Sequence, residues 1–448
     1  MLRSMPVTTA EAPSPSFNPL AAVSPFRLIA VAVFALAISL VSNTLEPAVL
    51  GHKVLRLAPD NPNTALGLTT AAGLVIAALT QPIIGALSDR TRNSLGRRVP
   101  FFIIGVVLVI ACLYLIAAAP LWSIVIIGVL ANQFAINVVH GPWQALFTDL
   151  VPSQQRGQVA GLRAMFDILA VVIGGFLAGQ LVGRYNQWGF AAILAAVTVP
   201  TLALLIALVI TFFGAREPAD AINRYPPTTS IGQALSNAYR INWSAHPAFF
   251  WWFLNRLFFW TALLGLNTYL LFYVIQGLGL EEGFAQRLRG NVTLVLGVSV
   301  LVFSLPVGWL SDCIGRKPIV ALAGVLASVG MGLVILPALL PEPNLTLLFV
   351  AAGFIGLALG MFLSTSWALV TDIVPEGEAA RYLGIANIAT AGGSLFGRLA
   401  GGLLIDPINN ATGNPIVGFL AMFGLSLALF LLSAITISFL PTRQPAAN

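Results

Sequence analysis

Gly85-Ala86-Leu87-Ser88-Asp89 returns 223 positions later as Gly308-Trp309-Leu310-Ser311-Asp312, and at the same shift Asp149-Leu150-Val151-Pro152 returns as Asp372-Ile373-Val374-Pro375. Gly161 and Gly384 stand in the same register. Three agreements at one offset mark a chain built from two related halves, and any fold assigned to it must accommodate that repeat.

What lies between the repeated motifs decides the fold class. Of 448 residues, 58% are hydrophobic and 8% charged, against about 25% charged in a soluble domain. A helix needs about 20 apolar residues to cross a hydrocarbon core about 30 Å thick. Blocks of that length occur at about 26–50, 65–87, 100–120, 121–150, 158–183 and 189–213, and again at about 247–276, 291–311, 318–340, 346–374, 382–405 and 415–440. The 41 glycines and 28 prolines suit membrane helices, whose neighbours re-satisfy freed backbone groups. The expectation is an all-α integral membrane protein of twelve spans in two pseudo-symmetric six-helix bundles. Residues 25–213 and 247–440 form the bundles. Residues 1–24 and 441–448 are tails, the first disordered and proline-rich, and 214–246 are a polar linker. Within the linker, Ser230 to Tyr239 reads as a short surface helix.

The pI of about 9.7 raises the question of a polyanionic partner, and the placement of the basic residues answers it. Counting Arg27 and Arg163, near the ends of their spans, with the side they adjoin, 15 of the 22 Lys and Arg fall on the side holding both termini. Lys53, Arg56, Arg184, Arg287 and Arg289 fall opposite, and Arg256 and Arg398 lie inside spans. That asymmetry is the positive-inside rule. It places both termini in the cytoplasm of a multi-pass plasma (inner) membrane protein, with the lipid bilayer as partner and no nucleic acid. No cleavable signal peptide is apparent. Cys112 lies in the third span and Cys313 in a cytoplasmic loop, so no disulfide is expected.

Two glycine runs recur four residues apart, Gly175, Gly179 and Gly183 in the fifth span and Gly393, Gly397 and Gly401 in the eleventh. Such faces let helices approach closely within a bilayer. Static packing is the plainer reading; contacts that slide during transport are the sharper one.

Gly85 to Arg90 followed by Gly96-Arg97-Arg98-Val99-Pro100 resembles the signature loop of the major facilitator superfamily, with Gly308 to Asp312 and Gly315-Arg316-Lys317 as its counterpart. The long spacing from Asp89 to Gly96 is similar to the sucrose and glycoside-pentoside-hexuronide cation symporter branch. So is Gly141-Pro142-Trp143-Gln144-Ala145-Leu146 with Asp149-Leu150. The resemblance implies a cytoplasmic latch built from Gly85, Asp89, Arg90, Gly96, Arg97 and Arg98, from Asp312, Gly315, Arg316 and Lys317, and from Asp149 and Asp372. An Asp at a helix end can hold one conformation by attracting a neighbouring helix N-terminus or an Arg. The bland alternative is that these charges only anchor topology, which is the preferred reading for Arg92. The sequence also departs from the branch. Sucrose-type transporters are expected to carry an acidic residue and an Arg on the fourth span, where Gln133 and Gln144 stand here. Coupling through that pair does not carry over.

An ionisable group inside a span costs about 2.5–3.5 kcal/mol to insert, so each needs an explanation. Glu46 lies about 12 Å from the middle of the first span and precedes Pro47, where the helix is expected to be irregular. It is a candidate coupling carboxylate, its alternative being an interfacial Glu in water. Asp167 is a second coupling candidate, although Arg163 one turn away offers it a structural pair. Arg398 is expected to pair with a carboxylate across the bundle, Glu46 being one possibility. Arg256, near Asn255 and Asn267, reads as a contact to substrate hydroxyls or a carboxylate, or as a side chain snorkelling to the interface.

Uncharged polar groups gather on the fourth span: Asn132, Gln133, Asn137, His140 and Gln144, beside Trp143. Such a stripe suits a hydrated cavity that offers donors and acceptors to a polyol, against the alternative of interhelical hydrogen bonds. Trp260, Tyr269 and Tyr273 of the aromatic-rich seventh span lie deep enough to stack on sugar rings. The substrate-contact set is therefore Asn132, Gln133, Asn137, His140, Gln144, Arg256, Trp260 and Asn267. No HExxH, Gly-x-Ser-x-Gly, phosphate-cradling loop or metal-ligand spacing is present, so neither an enzyme nor a cofactor is expected. The expected function is secondary transport of a polar small molecule, a sugar or glycoside, by alternating access, with a proton or sodium as coupling ion and a monomer as the working unit. The competing reading is an exporter of amphipathic compounds by proton antiport, which an apolar cavity would favour.

Overall fold

A computed structural model describes residues 23–93, 95–215, 246–374 and 379–440. The expected surface helix in the linker lies outside the described residues.

Twelve membrane-crossing helices are present among the described residues. In the first bundle α1 is Pro25–Leu57, α2 Pro62–Arg90, α3 Val99–Ala118, α4 Trp122–Leu150, α5 Arg156–Val182 and α6 Phe190–Gly214. In the second, α7 is Pro247–Gly277, α8 Glu282–Ile314, α9 Arg316–Leu339, α10 Thr346–Ile373, α11 Ala379–Thr412 and α12 Val417–Ser438. Proline opens α1, α2, α3 and α7, where its missing N–H has no intrahelical partner to lose. In α1 the helix widens to a π-turn over Leu45–Leu50, so the irregularity expected at Pro47 is real. In α7 the same occurs over Tyr273–Gly277. Both cysteines are free.

The main disagreement with the sequence reading lies at α8. The span expected to begin near 291 begins at Glu282, with the Glu281 carboxylate accepting from the Gly283 N–H at 3.3 Å as N-cap. Arg287 and Arg289, read as loop charges, are therefore inside the helix. Charges hid the first turns from a hydropathy window, but those charges find partners on other helices. His52 Nδ1 lies 2.6 Å from Glu282, and Arg287 donates to the Gly183 carbonyl at 2.7 Å.

The bundles meet through α2 on α11 and α5 on α8. At the end away from the termini these contacts are dense. The Asp406 carboxylate of α11 accepts from the Thr64 N–H and from Asn63 Nδ2, both at 2.7 Å, so one bundle caps the start of a helix in the other. Asn186 donates to Glu281 and Gln180 to Asn291. Toward the termini the bundles part. A Cβ added at Gly85, Gly157 or Gly161 would meet nothing within 4 Å.

The two glycine runs do different work. Gly175, Gly179 and Gly183 of α5 face Thr293, Gly290 and Arg287 of α8 in the opposite bundle, and a Cβ on Gly179 would sit 2.5 Å from the Gln286 carbonyl. Gly393, Gly397 and Gly401 of α11 face Trp260, Thr261 and Tyr269 of α7 in their own bundle. Only the first run lies where bundles must separate if the sealed end opens.

Candidate functional site

Glu46 sits in the π-turn of α1, about 16 Å from the helix end at Leu57. π-turns frequently mark functional positions because the wider turn re-aims a side chain. Its carboxylate receives Arg398 of α11 through two contacts, Nη2 to Oε2 at 2.7 Å and Nη1 to Oε1 at 3.2 Å. Gln133 of α4 adds a third donor at 3.3 Å. A two-pronged guanidinium–carboxylate contact is strong and directional. This one joins the bundles, and along α1 it lies deeper than the His52 contact to Glu282. Gly73 of α2 leaves room for Gln133, since a Cβ there would stand 2.9 Å from its Cγ.

Beside the ion pair runs a narrow cleft lined by Glu46, Pro47, Leu66, Thr70, Asn267 and Thr268. Asn267 is exposed although it lies about 15 Å inside the end of α7. Its Oδ1 accepts from Arg289 Nη2 at 3.1 Å. Arg289 itself is buried, at 2% exposure, and its Nε and Nη1 have no hydrogen-bond partner.

The expected substrate contacts divide. Gln133 reaches the ion pair and Asn267 lines the cleft. The rest of the α4 stripe bonds along its own helix and to α2: Asn137 donates to the Gln133 carbonyl, Gln144 contacts His140 at 3.3 Å, and Gln81 donates to Gln144 at 2.9 Å. Asn132 is buried away from the cleft. Arg256 does not snorkel to the interface. It is enclosed by Trp252, Trp260, Phe362 and Trp367, the last ring centroid 4.5 Å from its guanidinium carbon, and donates to Thr390 at 2.9 Å. Tyr269 and Tyr273 are also withdrawn from any sugar ring, being fully buried with their hydroxyls on the carbonyls of Arg398 and Val334. Trp260 keeps an indole N–H without a partner.

Asp167 is half-exposed on α5. It accepts from the Ser39 hydroxyl at 2.6 Å and stands 3.7 Å from Arg163, the i, i+4 pair anticipated from spacing. Arg163 in turn lies over the Trp143 ring, 5.1 Å from its centroid.

At the termini end the repeated motifs form two matching networks, each inside its own bundle. Arg97 and Arg98 both contact Asp149, at 3.1 and 2.6 Å, and Arg98 also reaches Asp89 at 3.0 Å. Arg316 contacts Asp372 at 2.6 Å and Asp312 at 3.6 Å, while Lys317 donates to the Ser438 and Leu440 carbonyls that end α12. The centre of the first network is Asp149, partly exposed between two buried arginines. Asp89 is exposed at its edge, and Arg90 is exposed at the end of α2. Gly96 and Gly315 turn the chain into these networks with φ of 102° and 96°, a region that disfavours any side chain.

Sequence reasoning missed Arg289, Thr70, Thr268 and Asp406. The hydroxyls carry no distinctive pattern. The acidic pair Glu281-Glu282 was a readable helix start, since carboxylates favour first turns.

The family described as MFS/sugar transport protein matches residues 61–442. The sucrose transport protein SUT5 of Oryza sativa subsp. indica is 23% identical over 459 aligned residues, covering 86% of this chain and 82% of the rice protein. Among solved structures, a D-xylose-proton symporter superposes with a TM-score of 0.68 at 17% identity, covering 93% of this chain and 98% of that one. The nucleoside transporter NupG does so with 0.69 at 12% identity, covering 93% and 100%.

Proposed function

The chain belongs to the MFS/sugar transport protein family, and from that premise we propose that it moves a small polar solute, a sugar or glycoside, by alternating access, with Glu46 coupling the movement to a proton or sodium ion. It is a multi-pass membrane transporter; the solute, the ion and the orientation are the proposal.

The observation that carries the reading is the Glu46–Arg398 pair across the two bundles. A charge pair inside a membrane stabilises only while both partners are present and ionised. Protonation of Glu46, or a cation taking its place beside the carboxylate, releases Arg398 and frees the bundles to rock about the cleft. Gln133, Thr70, Thr268 and Asn267 supply hydrogen-bonding groups suited to hydroxyls. Those same groups argue against the amphipathic exporter, whose cavity would be apolar. With termini in the cytoplasm, the parted end faces inward, and the bonds around Asp406, Glu282 and Arg287 close the outside. Charge pairing inside each bundle by Asp149 and Asp372 is then the released state of the inner latch, in a carrier that works as a monomer.

The test is uptake by the purified protein in liposomes, with labelled sucrose, lactose, glucose and xylose under an imposed proton or sodium gradient. The reading expects gradient-stimulated, saturable uptake of at least one sugar, and Glu46→Gln uptake that no longer responds to the gradient. Gradient response unchanged in Glu46→Gln removes Glu46 from coupling; absence of any sugar uptake contradicts the solute class.

A further inference from the structure

We infer that Asp406 is the catch of the outer seal: ionised, it holds the bundles together by capping α2 from α11, and protonation from outside releases it. The inference deepens the transport reading and rests on its alternating access and orientation.

The start of α2 has a cap residue of its own that is not in use. Asn61 occupies the N-cap position, where an Asn side chain ordinarily accepts the backbone N–H two or three residues on. Here it makes no such bond, and its Oδ1 accepts from Asn410 of α11 at 3.2 Å. The N–H three residues on, that of Thr64, goes instead to Asp406 Oδ2, and Asn63 Nδ2 to Asp406 Oδ1, both at 2.7 Å. Thr64 Oγ1 also donates to the Gly402 carbonyl at 2.7 Å. The second bundle thus supplies a cap that the first could supply for itself, and the two caps compete for one N–H.

Asp406 is 5% exposed and lies one turn from the exposed Asn410. Among the described residues it forms no ion pair, so its charge is offset by those two donors and by the positive end of α2. A protonated carboxyl has one good acceptor for two donors, and no charge to set against the helix end. As the bundles part, Asn61 takes the Thr64 N–H and α2 keeps a cap in both states. The proton comes from the outer water and returns to it on resealing, so it is separate from the one carried at Glu46. Other titratable groups around the catch do not substitute for it. On α11, Arg398 is two turns deeper and held by Glu46; on α7, the Tyr269 hydroxyl is bonded to the Arg398 carbonyl; Asp60, before α2, is exposed. His52 and Glu282, a second titratable contact across the seal, act in the opposite sense, since charging His52 tightens its hold on Glu282.

The experiment places spin labels at Gln187→Cys and Ala411→Cys, exposed outer positions on opposite bundles, in a cysteine-free background. Their separation is measured in liposomes at about pH 8 and about pH 5, so that proton uptake on opening appears as a pH-dependent population. The long-distance population is expected to grow two-fold or more on acidification. Asp406→Asn should keep it high at both pH values, with the response at least halved. Asn61→Ala should shrink that population and Asn410→Ala enlarge it, although both remove the same bond between bundles. This second comparison decides the cap exchange even where Asp406→Asn fails to fold. A pH response undiminished in a folded Asp406→Asn overturns the inference, as does Asn61→Ala opening the seal in the way Asn410→Ala does; alternating access stands in both cases. A separation fixed at both pH values also overturns it, and if it stays fixed during uptake of sucrose, lactose, glucose or xylose, alternating access falls as well.

Discussion

Glu46 and Arg398 belong to different bundles and are each other's counter-ion between two membrane-crossing helices. Partners in direct contact are expected to be non-additive. A cycle of Glu46→Gln, Arg398→Gln and the double variant, followed by thermal unfolding in detergent, should give a coupling of about 1–3 kcal/mol, with the double variant more stable than either single one. Additive effects would mean the pair contributes nothing to the sealed state. A second expectation separates two aspartates of one motif. Asp149 is contacted by two buried arginines, whereas Asp89 is 54% exposed. Asp149→Asn should therefore destabilise by about 3 kcal/mol, and Asp89→Asn by less than about 1 kcal/mol, in the same unfolding measurement. At this scale the sequence was only partly legible. So few charges lie in the spans that Glu46 stood as one possible partner for Arg398, but the same hydropathy logic cast Arg289 as a loop residue. Arg256 misled for another reason: an arginine in an aromatic enclosure looks, in one dimension, like one facing a substrate.

The glycine runs looked alike as sequence and differ as packing, because four-residue spacing fixes a face but not the helix it meets. Gly179 lies between bundles and Gly397 within one, where a Cβ would collide with the Thr261 carbonyl. Gly179→Leu is expected to wedge α5 from α8, raising maleimide labelling of a cysteine placed at Asn291 several-fold without reducing yield. Gly397→Leu should lower the yield of folded protein instead; equal effects on labelling and yield would erase the distinction. The motif loops are a third case. Gly96 and Gly315 both hold positive φ, so Gly96→Ala or Gly315→Ala should each cost about 1 kcal/mol in unfolding. A neutral result would mean the turn readily adopts another form. The motif's glycine was legible as a motif member; its backbone reason needed coordinates.

The arrangement of twelve helices in two bundles was legible almost throughout, since span length and apolarity are imposed by the bilayer and the repeat fixes the pairing of halves. The conformation was not. Nothing in composition distinguishes a chain sealed at one end from the same chain sealed at the other, because both states use the same helices and differ only in which ends of α2, α5, α8 and α11 touch. Here the contact lies at the end of Asn61 and Asn410, whose side chains bond at 3.2 Å. The central claim is that this end opens as the opposite one closes, around the Glu46–Arg398 pair. The direct test is pulsed electron spin distance measurement on two label pairs in a cysteine-free background, Asn61→Cys with Asn410→Cys and Arg92→Cys with Ile314→Cys, in liposomes with and without transported solute and an ion gradient. The account predicts a population in which the first distance lengthens while the second shortens. Distances that stay fixed during measured transport, or that lengthen together, would contradict it.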